Sequence, residues 1–160
     1  MLPKAHIIAG VLFVTALYFI FPQIGLFNLA IILLSSILID GDHYIYYIAL
    51  KKKFNPIEAI HWHKKEMENT SSLPMEERKK RYTGFYFLHG VEWLVILFLL
   101  GIFIHPIFAF VFIGFSFHWI IDIPHEFYFK RTIHKSSLIY MGYLLKKFKK
   151  KDNKLYISSS

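Results

Sequence analysis

The sequence predicts an all-α, polytopic membrane protein with about four transmembrane helices and amphipathic cytoplasmic helices. Three observations carry that expectation. The 160 residues are 55% hydrophobic and 19% aromatic. From Ala5 to Ile39 there is no Asp, Glu, Lys or Arg. A second apolar block runs from Phe85 to Ile121, broken near its middle by His105-Pro106. An apolar run of about 18 residues is enough to read as a membrane span, and the first tract is about twice that. A soluble bundle is the alternative. Helices apolar all round face lipid or a large core, and a chain of 160 residues builds no large core.

Within the first tract, Pro22-Gln23-Ile24-Gly25 punctuates the helix. Two spans result, at about 6–21 and 25–48, joined by a tight hairpin. A cleavable leader would be followed by a small-residue cleavage site and a polar mature domain. Neither follows, so the first span is expected to be retained. The 51–84 stretch is a long polar cytoplasmic loop. Within it, Asn55-Pro56-Ile57-Glu58 reads as a helix start, with Pro in the first turn and Glu three after the Asn. Glu68–Pro74 reads as irregular. The second block divides into spans at about 85–104 and 106–123. The basic tail, 134–152, carries Leu138, Met141, Leu145 and Phe148 at helical spacing, as an interfacial amphipathic helix would. Together these form a single membrane-embedded helical domain over 1–160.

Four spans place both termini and the 51–84 loop on one side. Every Lys and Arg then falls there, from Lys4 through the 51–53 run to the tail lysines. The positive-inside rule makes that side cytoplasmic, which puts the chain in the cytoplasmic (inner) membrane. The net charge of +8 becomes a one-sided cationic face. Its nearest partners are membrane lipids with anionic headgroups, and no nucleic acid is expected. With no cysteine, any metal must be held by His, Asp or Glu.

Polar groups gather at the cytoplasmic ends of all four spans. His6 opens the first. Asp40, Asp42 and His43 lie toward the end of the second. His89 and Glu92 start the third, and His118, Asp122 and His125 end the fourth. His105 alone falls on the far side, as a hairpin residue, and His134 is a surface residue. His118 and Asp122 are i, i+4; His89 and Glu92, and Asp40 and His43, are i, i+3, so each helix offers one polar face, although Gly41 is expected to loosen the helix between Asp40 and His43. A charge inside a span costs about 2.5–3.5 kcal/mol on insertion scales, and a divalent cation shared by several such groups offsets it. Imidazole and carboxylate ligands suit zinc or manganese, ahead of iron. The candidates outnumber the four ligands of one zinc, which leaves room for two ions.

Each residue also has a plainer use. Asp40 and Asp42 can cap the end of their span, His6 can sit at the interface, and Glu92 can pair with a loop lysine. In His61-Trp62-His63 the two imidazoles point nearly opposite ways on a helix, so at most one faces the bundle. His63 shares a face with Ile60 and Met67, and His61 lies nearer Lys64 and Lys65. Either one stands as a further metal candidate.

The ordered motifs resemble a known family. His6-x-x-x-Gly10, Asp40-x-Asp42, a His in the third span and His118-x-x-x-Asp122 are similar to the inner-membrane metal-dependent hydrolases of bacteria and archaea. The resemblance covers most of the chain. It implies a multi-span membrane protein with a divalent metal and phosphoester hydrolysis, and His6, Asp40, Asp42, His89, His118 and Asp122 as metal-site residues. The sequence departs from the pattern in places. Ile39 stands where the family has Pro, and Leu88-His89-Gly90 where it has Thr-His-Ser. The family's upstream loop His corresponds to His61 or His63.

The expected activity is therefore a membrane hydrolase acting on a phosphate ester of a lipid or lipid-linked substrate at the cytoplasmic leaflet. His43, Glu92 or His125 would serve as general base. Two alternatives stand beside it. A di-iron lipid hydroxylase or desaturase has a similar layout, but the chain has no His-x-x-His-His. A non-enzymatic metal-binding or assembly protein needs only the ligands.

Overall fold

Helix α1 (Pro3–Ile20) opens the computed structural model, which describes residues 3–80, 86–128 and 137–143. After Lys4 nothing charged interrupts it. Pro22–Ile24 then form one 3-10 turn with Pro at its start, where the missing N–H breaks no bond. Gly25 turns the chain at φ 76, a left-handed value that glycine adopts without steric cost. This is the tight hairpin the sequence predicts.

Helix α2 (Gly25–Leu38) follows, and here the structure corrects an expectation. The predicted 25–48 span is not one helix. It stops at Leu38 and resumes as α3 (Gly41–Lys51). At the join the amides of Asp40 and His43 reach back only three residues, to the carbonyls of Ile37 and Asp40. Gly41, a weak helix former, follows directly. The stretch still runs apolar from Pro22 to Lys51.

Helix α4 (Pro56–Ser71) starts where its sequence says. The Asn55 side chain accepts from the Ile57 and Glu58 amides, with Pro56 at the first position. Its end is a second correction. Glu68–Pro74 is not a loop: the helix runs to Ser71, and only Ser72–Pro74 lead to α5 (Met75–Lys80). Tyr47 donates to Glu58 at 3.2 Å, which ties α4 to α3. A hydrogen bond from Lys53 holds the Glu58 carboxyl below its ordinary range.

The third predicted span also starts late. Phe87–His89 form a 3-10 turn, Gly90 is extended, and α6 runs only from Val91 to Phe103. Its 13 residues measure about 20 Å. Helix α7 (Ile107–Tyr128) overruns the predicted 106–123, with Pro124 inside it. A helical stretch at 138–143 completes the description. The rest of the predicted tail helix, 134–136 and 144–152, lies outside the described residues.

Among the described residues there is no strand. Helix α2 packs chiefly on α7 and α1, and α6 packs on α7. The α2–α7 crossing depends on Gly114, where a Cβ would lie 2.0 Å from Ser35 Oγ and 2.4 Å from the Ile32 carbonyl oxygen. Small residues of this kind let membrane helices approach closely. Outer faces stay apolar: Phe19, Leu26, Phe27 and Phe103 are exposed. Two helical stretches are long and apolar enough to cross a membrane, Pro22–Lys51, taken across its break, and Ile107–Pro124. Only 11% of the second window is buried within the chain, so its apolar surface is not spent on a protein core. Lys4–Ile20 and Val91–Phe103 are apolar but shorter.

Candidate metal centre

Four helical segments bring their polar groups to one place. His6 sits on the second turn of α1, Asp40 at the α2–α3 break, and His43 on α3. His89 ends the 3-10 turn before α6, and His118 and Asp122 lie one turn apart on α7. His6, His89 and His118 are buried.

Each of these three histidines has its Nδ1 engaged. His6 Nδ1 donates to Asp40 Oδ2 at 2.6 Å. His89 Nδ1 donates to Asp42 Oδ2 at 2.9 Å. His118 Nδ1 donates to the Ser36 carbonyl at 2.7 Å. A carboxylate or carbonyl oxygen only accepts, so each Nδ1 carries the hydrogen, and in the neutral ring each Nε2 keeps a lone pair. All three Nε2 atoms are buried and without a hydrogen-bond partner. An unsatisfied buried polar atom costs about 1–3 kcal/mol. Three of them converging on one spot is costly unless something else engages them.

The lone pairs converge on two carboxylates. His89 and His118 Nε2 lie 3.8 and 3.7 Å from Asp40 Oδ1. The same atoms lie 3.7 and 3.5 Å from Asp122 Oδ2. His6 Nε2 is 3.2 Å from Asp122 Oδ1 but not aligned to bond it. His43 Nε2 stands 3.6 Å from Asp40 Oδ1. Separations above about 3.5 Å are long for hydrogen bonds. They match ligand atoms facing each other across a cation with bonds of about 2.0–2.2 Å. Two ligand sets emerge: His6, His118 and Asp122, and Asp40, His43 and His89, with ligand atoms within 4.8 Å of one another in each. Buried His and Asp groups here are fit to hold a metal ion.

Several sequence candidates have other work. Asp42 supports a ligand: its Oδ2 accepts from His89 Nδ1 and from the Leu88 amide, both at 2.9 Å. Hydrogen bonding of this kind orients a ligating imidazole. His43, expected as a base, lies with Asp40 and His89 in the second group of possible ligands. Glu92, expected as a base, is engaged elsewhere. Its carboxylate accepts from Ser137 Oγ and from the amides of Leu138 and Ile139. His63 Nε2 donates to the His43 carbonyl at 2.8 Å, and its ring meets that of His43 edge-on, so it lies behind a ligand. His61 is exposed on α4. His105 accepts from the Ile107 amide at the start of α7. His125 is beyond the residues whose side chains are described.

Sequence reasoning missed Ser36 and Tyr86. Ser36 acts through its carbonyl, which no side-chain motif reports; the only hint is a Ser pair one turn before Asp40 in an apolar span. Tyr86 is buried with its ring centroid 4.1 Å from that of His43. It looked like one more apolar residue. Compared with family models, with curated proteins and with solved structures, the chain matches none.

Proposed function

We propose that this chain is an integral membrane, metal-dependent hydrolase of a phosphate ester on a lipid or lipid-linked substrate at the cytoplasmic leaflet. One observation carries the reading: three buried imidazole Nε2 lone pairs, unpartnered, aimed at Asp40 and Asp122. The order of motifs, similar to that of the inner-membrane hydrolases, favours hydrolysis among metal chemistries. The lysine-rich face and the apolar outer surface of the helices favour a lipid substrate. In this reading α1 and α6 cross the bilayer with the two longer helices, and both termini are cytoplasmic.

His6, His118 and Asp122 hold one ion, zinc or manganese. Asp40, His43 and His89 are placed for a second. A divalent ion supplies Lewis acidity toward a phosphoryl oxygen and acidifies water. The chain's own residues do the rest. Asp42 and Ser36 fix the tautomers of His89 and His118. The helices exclude water from the buried ring nitrogens. The His43 side chain is 25% exposed, against 1–4% for His6, His89 and His118, so the second group is the one open to bulk water.

Elemental analysis of detergent-purified protein tests the site. At least one zinc or manganese per chain is expected, with loss in His118→Ala and in Asp122→Ala. Full metal content in both variants overturns the assignment. Turnover is read as phosphate or headgroup released from a panel of lipid and lipid-linked phosphates. Chelator should abolish it and metal restore it. Metal-loaded protein with no turnover across the panel favours a metal-binding protein without catalysis. Iron content with oxidation of an acyl chain favours the hydroxylase.

A further inference from the structure

The loss of Glu92 from the metal centre exposes a different role. It stands in the first turn of α6, two residues after Gly90 and three after His89. Its carboxylate accepts from Ser137 Oγ at 2.6 Å, the Leu138 amide at 2.9 Å and the Ile139 amide at 3.3 Å. The first amides of a helix have no partner within it, and a carboxylate from a distant helix satisfies two of them here. Beside this contact Leu138 rests on Gly90, where a Cβ would lie 2.5 Å from Leu138 Cγ. Met141 is buried at 1% exposure. The 137–143 segment is thus gripped on its inner side against the turn that presents His89.

Its outer side is the reverse. Ile139 is 79% exposed, Tyr143 58% and Tyr140 44%. The sequence then continues with five lysines between 146 and 151. Apolar and aromatic groups followed by clustered lysines are the chemistry that binds an anionic membrane surface.

We propose that the 137–143 segment is a strap between an anionic bilayer surface and the metal centre, with Glu92 as the positioning residue that transmits its grip to His89. The outer face binds the lipid surface, and binding stabilises the segment in its docked place. The docked segment fixes Gly90, and the fixed turn holds the His89 ring on Asp42 with Nε2 aimed at the site. The proposal rests on the metal-site reading for its consequence at His89, though not for the strap itself.

The test uses the full chain in vesicles of phosphatidylcholine alone or of phosphatidylcholine and phosphatidylglycerol in equal parts. Two readouts are taken: Co²⁺ affinity from its visible absorption, and amide hydrogen exchange over 137–143. Wild type should bind Co²⁺ about tenfold more tightly in the anionic vesicles, within the range for groups that orient metal ligands. Glu92→Ala should abolish that difference, weaken Co²⁺ about tenfold and speed exchange at Leu138 and Ile139. Glu92→Gln, whose amide oxygen still accepts, should recover part of both. The double variant Ile139→Ser/Tyr143→Ser keeps the Glu92 bonds and should lose only the response to lipid. Unchanged affinity or a persisting lipid response in Glu92→Ala overturns the proposal, as does a lipid response that survives the double variant. If wild type takes up no Co²⁺ in either vesicle, the metal reading fails and exchange decides the strap alone. Protection that rises with anionic lipid in wild type and not in Glu92→Ala sustains it, and protection indifferent to both sinks it.

Discussion

Asp42 spends one carboxylate oxygen on two donors, the His89 ring and the Leu88 amide, and so separates holding a ligand from being one. Asp42→Asn keeps the shape but offers a weaker acceptor to the imidazole. Metal affinity should fall about 10- to 100-fold while the ligands remain, whereas Asp122→Ala should remove the ion proposed between His6 and His118. Titration with Zn²⁺ against a competing chelator distinguishes the two, and equal losses would contradict the different roles. His105→Ala is the matched control: it removes an acceptor for the Ile107 amide, costs about 1 kcal/mol of helix capping and leaves metal content unchanged. At this scale the sequence tells which residue types are costly in an apolar setting, so the six clustered residues are legible as a group. Their division of labour is not. Asp40 and Asp42 look equivalent in Asp-x-Asp, yet one reaches the centre and the other the back of His89. Glu92 looked available because its donors lie 45 to 47 positions away in the chain.

Helices α2 and α7 meet backbone to backbone at Gly114, one turn before His118. Gly114→Ala puts a methyl group against the Ile32 carbonyl, which a rotamer change cannot move aside. Overpacking of this kind costs about 1–3 kcal/mol. A lower unfolding temperature in detergent is expected, with reduced metal content because the crossing also carries Ser36 to His118. Adding Ser35→Gly should not restore stability, since the carbonyl remains; full rescue would show that the side chain alone made the contact. Element ends marked by Pro, Gly or Asn were legible: the Pro22–Gly25 hairpin and the Asn55 cap stand where the sequence puts them. At Ile39-Asp40 the only sign of a break was Gly41, because apolar residues resume beyond it and hydropathy does not register a lost hydrogen bond. The late start of α6 has the same cause.

For the whole molecule, the proposed four-span topology predicts that the charged side is sheltered from the cell exterior. The chain has no cysteine, so Lys52→Cys and Lys147→Cys are clean reporters. Neither should react with a membrane-impermeant maleimide on intact cells, and both should react after the membrane is opened. Labelling of intact cells would invert or abandon the topology. Which helix touches which was not legible, because outward and helix-facing surfaces are both apolar here, and the glycines at close approaches, Gly10, Gly101 and Gly114, do not name their partners. The scatter of the cluster along the chain has a further consequence during synthesis. A ribosome that has released α1 to α6 has already delivered His6, Asp40, His43 and His89, but His118 and Asp122 come on the last long helix. The nascent protein therefore holds an incomplete set of donors until that helix packs on the others, and on the proposed reading an ion meets its full set only after α7 is made.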